Sequence, residues 1–151
     1  IIGQGKEAMS ATTGEAVRNP HISAIPNLYV TDFIKDMANA YAAADLVISR
    51  AGAGSISEFC LLHKPAILVP SPNVAEDHQT KNAMALSEKG AALLVPDSEA
   101  VNRLIDTAVE IVQNDTLLEK MHQRILALAQ RDSAARIADI ILEIVAERKS
   151  K

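Results

Sequence analysis

Short, continuously apolar runs alternate with stretches of helical period along the first two thirds of this chain. Asp45-Leu46-Val47-Ile48-Ser49, Ala66-Ile67-Leu68-Val69 and Ala91-Ala92-Leu93-Leu94-Val95 read as strands. They lack the polar alternation of a half-exposed strand, as expected when both faces of a parallel sheet are covered. Between them lie helical patterns. Asp36 to Ala44 is rich in alanine, with Met37, Ala40, Tyr41 and Ala44 on one face. A second helix starts at Ser55 and stops before Pro65, and a third spans His78 to Lys89 and stops at Gly90. Upstream, Ile1-Ile2-Gly3 reads as the end of a strand already under way, so the chain is expected to be the C-terminal part of something longer. Lys6 to Arg18 reads as a weak helix or loop, and one or both of His21–Ile25 and Leu28–Val30 as strands. The alternation predicts an α/β fold, a Rossmann-like parallel sheet with right-handed crossovers and flanking helices.

From Ser98 the pattern becomes purely helical, in segments of about 98–113, 115–130 and 132–148. Residues 1–97 are expected to form the sheet core and 98–151 a helical C-terminal part of the same domain. In the last helix Ile137, Ile140, Ile141, Ile144 and Val145 share one stripe, which predicts burial against another surface. The basic end Arg148-Lys149-Ser150-Lys151 suits a solvated helix C-terminus.

Composition narrows the classes. The apolar fraction of 48% and mean hydropathy of +0.08 describe a globular chain, and 151 residues suffice for one domain with a proper core. A net charge of -4 argues against a nucleic-acid surface, and 3% aromatics supply few stacking platforms. The single cysteine, Cys60, lies in the apolar run Phe59-Cys60-Leu61-Leu62, where an inert buried thiol and a cytosolic compartment are expected. No run reaches membrane-spanning length.

The chemistry concentrates in Ser49-Arg50-Ala51-Gly52-Ala53-Gly54-Ser55-Ile56-Ser57-Glu58, a strand end, a small-residue turn and a helix start. The first amides of a helix lack internal partners and carry the positive end of the macrodipole. Without Cβ atoms at Gly52 and Gly54, a diphosphate can approach the main chain. The stretch is neither the dinucleotide fingerprint nor a P-loop. A structural alternative is a capping box, in which Ser55 caps the helix and Glu58 reaches back to the Ser55 amide.

Three ordered pieces then carry a resemblance. They are Val30-Thr31-Asp32-Phe33-Ile34-Lys35-Asp36-Met37; Ala43-Ala44-Asp45-Leu46-Val47-Ile48-Ser49-Arg50-Ala51-Gly52-Ala53; and Ser55 to Glu58 with Lys64 to Pro70 and Asp77-His78-Gln79-Thr80-Lys81-Asn82-Ala83. Together they closely resemble the C-terminal, donor-binding domain of the MurG-type glycosyltransferases, family 28 enzymes of the two-domain GT-B fold. The resemblance implies transfer of N-acetylglucosamine from UDP-N-acetylglucosamine to the C4 hydroxyl of undecaprenyl-diphospho-muramoyl-pentapeptide, with inversion, in peptidoglycan synthesis. It places uracil against the backbone at Ile34 and the ribose hydroxyls on Glu58. The diphosphate falls over Ala53, Gly54 and Ser55, and the sugar hydroxyls on Gln79 with His78 beside it. Neither a metal nor a cofactor is implied, and no catalytic residue falls in this chain. The lipid-linked acceptor and the cytoplasmic membrane face are implied only through an N-terminal domain.

There are departures. The family's further Gly-rich loop is expected upstream of Ile1, and His78 stands where many members have Gln. Ile34 also fits a core position, and His78 an exposed helix start. Asp36, Asp45 and Asp77 do not by spacing alone establish a glycoside-hydrolysing pair, and His21, His63 and His122 carry no role. The alternatives are a donor subunit of a split transferase, a UDP-sugar 2-epimerase-like enzyme, and a non-catalytic nucleotide-binding module.

Overall fold

The computed structural model describes residues 28–72 and 77–149. The readings for Ile1–Gly3, Lys6–Arg18 and His21–Ile25 lie outside them. The described chain runs α1 (Met37–Ala43), β1 (Val47–Ser49), α2 (Ala53–Leu61), β2 (Ala66–Leu68), α3 (His78–Ser87), β3 (Ala92–Leu94), α4 (Asp97–Val112), α5 (Asp115–Leu126) and α6 (Ser133–Lys149).

The three strands form one parallel sheet in the order β1-β2-β3, with Val47 opposite Ala66 and Ile67 opposite Leu93. The expected α/β architecture is therefore present. β2 is buried along its whole length, and its alternating side chains feed two cores, since successive strand residues point to opposite faces. Ala66 and Leu68 join Tyr41, Val47, Phe59, Cys60, Leu86 and Ile125 on one face. Ile67 joins Val69, Val95, Ile111 and Met121 on the other. Two cores on one short strand explain its unbroken apolar run.

Helix ends place the connecting loops. α2 ends in a Schellman motif, with Lys64 N–H on Phe59 O (2.9 Å), His63 N–H on Cys60 O (3.4 Å) and His63 left-handed at φ 55°. α3 closes the same way around Gly90 at φ 63°, with Ala91 N–H on Leu86 O at 3.0 Å. A Cβ at Gly90 would also run into the Arg124 guanidinium. Asp36 caps α1 by accepting from Asn39 N at 3.1 Å, and Asn114 caps α5 by accepting from Leu117 N at 3.0 Å.

Of the two candidate strands upstream, Leu28–Val30 adopts none; Tyr29 is 87% exposed, and the triplet is paired to no sheet among the described residues, which do not include His21–Ile25. Two expectations are corrected. α2 begins at Ala53, two residues earlier than expected, because Gly52 serves as the N-cap. Ser55 is thus inside the first turn, and the capping box with Glu58 does not form. Finally, the stripe of α6 is not buried: Ile137, Ile140, Ile141, Ile144 and Val145 remain 43–58% exposed. Neither core contains a residue of α6. Among the described residues no helix is long and apolar enough to cross a membrane.

Candidate functional site

In a parallel sheet, ligand sites form beyond the carboxyl ends of the strands, where loops turn back into helices. Here Arg50-Ala51-Gly52 follows β1 and Val69-Pro70-Ser71 follows β2. Side chains tie the two loops together. The Gln79 side-chain oxygen, from the first turn of α3, accepts from Ser71 N at 2.9 Å and Ala51 N at 3.3 Å. Asn82, one turn further, donates to Ala51 O at 3.2 Å. From the other side the Arg50 guanidinium donates to Val69 O and Pro70 O, both at 3.3 Å, and pairs with Asp97 at the start of α4. The ends of all three strands are thus braced around one rim.

The N-terminus of α2 opens onto that rim. Gly52 supplies no side-chain cap, and the first turn has no acidic residue. The first intrahelical bond is Ile56 N–H on Gly52 O at 3.0 Å, which leaves the amides of Ala53, Gly54 and Ser55 without a helical acceptor. These are the three positions that the resemblance implied for a diphosphate, although the helix start is displaced from the expected one. A Cβ at Gly52 or Gly54 would meet nothing within 4 Å. Packing therefore requires neither glycine, and both leave the amides uncovered to an approaching anion. By contrast, α1 and α5 have side-chain caps, and α4 carries Asp97 and Glu99 in its first turn.

Glu58 is exposed on α2, one turn beyond Ser55, with which it shares a helix face. Its Oε2 accepts from the Tyr41 hydroxyl at 3.1 Å. Tyr41 projects from α1, is 7% exposed and meets Phe59 edge to face, with ring centroids 5.9 Å apart at 79°. Burial, reinforced by the hydrogen bond to Glu58 and its negative charge, pushes the Tyr41 hydroxyl up to about 12. It therefore remains a proton donor across the neutral range. The remaining lone pairs of Glu58 are acceptors suited to a pair of hydroxyls.

The other expected residues divide. Ile34 is half-buried in the segment leading into α1, just after a turn in which Thr31 Oγ1 accepts from Phe33 N at 3.4 Å. His78 is the exposed first residue of α3, following Asp77 in a left-handed conformation at φ 55°. Gln79 lies at the rim, but its oxygen is engaged by the backbone, which leaves its Nε2 hydrogens as its outward chemistry. Sequence reasoning assigned no site role to Arg50, Asn82 or Tyr41. The spacing of Asn82 one helical turn beyond Gln79 was the available signal for the first brace. The partners of Arg50 and Tyr41 are distant in sequence and left none. Among the described residues no group of His, Cys, Asp and Glu is arranged to hold a metal ion.

A cleft of about 640 Å³ lies elsewhere, between α2, α3 and the α5–α6 connection, lined by Ile56, Cys60, Lys89, Leu128 and Arg131 among others. None of the expected site residues lines it. Cys60 is buried there, and burial pushes its thiol up, with Lys89 partly opposing the shift. That is the inert thiol expected from its apolar surroundings.

Comparison with known proteins gives concordant results. Residues 2–140 match the family model for the glycosyltransferase family 28 C-terminal domain. The chain is 65% identical over 120 residues to the UDP-N-acetylglucosamine--N-acetylmuramyl-(pentapeptide) pyrophosphoryl-undecaprenol N-acetylglucosamine transferase of Bacteroides thetaiotaomicron, covering 80% of this chain and 32% of that protein. The transferase of the same name from Porphyromonas gingivalis is 60% identical over 121 residues, with the same shares covered. The crystal structure of Acinetobacter baumannii MurG superposes with a TM-score of 0.75 at 31% identity, covering 95% of this chain and 41% of that one. The chain thus spans about a third of the length of the curated relatives it matches.

Proposed function

The chain belongs to the glycosyltransferase family 28 C-terminal domains, and from that membership we propose that it is the donor-binding domain of a MurG-type transferase. The proposed reaction moves N-acetylglucosamine from UDP-N-acetylglucosamine to the C4 hydroxyl of an undecaprenyl-diphospho-muramoyl-pentapeptide, with inversion and UDP as leaving group. The observation that carries the reading is the uncapped start of α2, where three amides without a helical acceptor are followed one turn later by the exposed carboxylate of Glu58 on the face of Ser55.

In this reading the diphosphate lies over Ala53, Gly54 and Ser55. Their amides stabilise the charge that grows on the leaving group, and because these dipoles are fixed beforehand they need no reorganisation during reaction. Glu58 accepts from the ribose hydroxyls, and the backbone at Ile34 meets the uracil. Gln79 Nε2, with His78 beside it, addresses the sugar. These groups orient the donor. The acceptor and the proton-abstracting base belong to the remainder of the longer protein, which acts at the cytoplasmic membrane face where an undecaprenol-linked acceptor resides.

Support comes from the agreement between rim geometry and the positions implied by the family motifs. The full-length protein is expected to transfer labelled sugar from UDP-N-acetylglucosamine to a lipid I analogue, whereas this chain alone binds donor and transfers nothing. Free sugar or an epimer formed without acceptor would favour the epimerase reading. Binding indifferent to the sugar, with no transfer by the full-length protein, would leave a nucleotide-binding module.

A further inference from the structure

Glu58 is an exposed glutamate with three rotatable side-chain bonds. Unaided, it would lose rotamer freedom each time it engaged a ligand, and that loss opposes binding. The structure removes much of this freedom in advance. The Tyr41 ring is held in the core, edge to face on Phe59, so its hydroxyl is a fixed point. That hydroxyl holds Oε2 of Glu58 at 3.1 Å. Phe59 immediately follows Glu58 on α2, so the helix that presents the carboxylate also carries the ring that steadies its partner.

We propose that Tyr41 is a positioning residue for donor recognition: it holds the Glu58 carboxylate in the orientation that accepts the ribose hydroxyls, and so sets preference for a ribonucleotide donor over its 2′-deoxy counterpart. The inference rests on the reading of Glu58 as ribose ligand and goes beyond it, since it assigns Tyr41 a role exerted through Glu58. One lone pair of Oε2 is taken by the phenol, and the carboxylate's remaining acceptor capacity serves a cis-diol. Because the phenol stays protonated well above neutrality, it is able to donate to Glu58 across the working range. Tyr41 also comes from α1, whose approach carries Ile34, so the same short helix follows the uracil contact and steadies the ribose contact.

The test uses the full-length protein that carries this chain. Affinity is measured by titration with UDP-N-acetylglucosamine and with the same donor built on 2′-deoxyuridine, for the unmodified protein, Tyr41→Phe, Glu58→Ala and the double variant. Tyr41→Phe keeps the ring on Phe59, and its thermal midpoint reports whether packing is retained. The expected result is a fall of about fivefold in the ribo-to-deoxy preference in Tyr41→Phe, the scale of one hydrogen bond. In the Glu58→Ala background the same substitution should change nothing further. Equal weakening of both donors by Tyr41→Phe, or no change in either, would overturn the proposal while leaving Glu58 as ribose ligand. An intact ribo-to-deoxy preference in Glu58→Ala would instead remove the ribose reading and the proposal with it.

Discussion

The first turn of α2 and the stripe of α6 are both helical, and they use opposite parts of the chain. At α2 the relevant groups are backbone amides, exposed because Gly52, Ala53 and Gly54 carry almost no side chain. At α6 the relevant groups are Ile137, Ile140, Ile141, Ile144 and Val145, large side chains that remain half exposed. Small residues at α2 look like missing packing and instead leave three backbone amides uncovered. A clean apolar period at α6 looks like a core and instead contributes to neither of the two cores. Periodicity reports which side chains favour burial, not which surface supplies it, and chemistry carried by main chain leaves only the absence of bulk as its trace.

The contrast is broken most severely just behind the α2 site. Phe59 is 1% exposed and backs Tyr41, so Phe59→Ala should cost about 3–5 kcal/mol in denaturant unfolding, in the range of large buried aromatic truncations. A loss below about 1 kcal/mol would mean that the core on that face is far looser than its burial indicates. Next is the brace between the two loops. Gln79→Ala removes the acceptor shared by Ala51 N and Ser71 N and should cost about 1–3 kcal/mol. Gln79→Glu keeps an acceptor there, so stability should be largely retained, yet it loses the Nε2 donor. Its expected mark is a smaller difference in affinity between UDP-N-acetylglucosamine and UDP.

Smaller in stability, but directed at the site, is Gly52→Val. The N-cap has φ -70° and ψ 140°, which any residue adopts, and the space beside it is open. The fold should be retained while donor affinity falls about tenfold, or about 1.4 kcal/mol, as bulk covers the free amides. Unchanged affinity would place the diphosphate elsewhere. The smallest effect is expected at α6, where Ile141→Ser in this chain should alter unfolding free energy by no more than about 0.5 kcal/mol. A large loss there would show that the stripe is covered after all.

The pH dependence follows from Tyr41. Its folded value, about 12, lies above the ordinary 10.0, so its contribution to stability is complete below pH 10. It is lost as pH rises from there through about 12. Tyr41→Phe should remove this alkaline step, as read from unfolding at several pH values.

Much of the fold was legible because two cores on one sheet leave an unbroken apolar mark on β2, and because Gly90 is a helix terminator with its own backbone signature. The start of α2 was misplaced by two residues because Gly52 caps without a side chain, whereas Ser55 and Glu58 imitate a familiar cap. The buried face of α1 was readable from its period, but the partner of the Tyr41 hydroxyl was not, since Glu58 lies 17 residues away on another helix. The same holds for Arg50, whose carbonyl and carboxylate partners converge only once three strands lie side by side. The stretch with uncovered main-chain amides was reached by motif order, and the side chains engaged in tertiary contacts awaited the fold.

The most direct measurement is calorimetric titration of UDP-N-acetylglucosamine, UDP-glucose and GDP into this domain, unmodified and as Glu58→Ala. The account predicts saturable binding tighter than about 1 mM, or roughly -4 kcal/mol, that prefers uracil over guanine and weakens in Glu58→Ala. A folded domain that binds GDP as well as the uridine donors, or whose affinity is unaffected by Glu58→Ala, would contradict it.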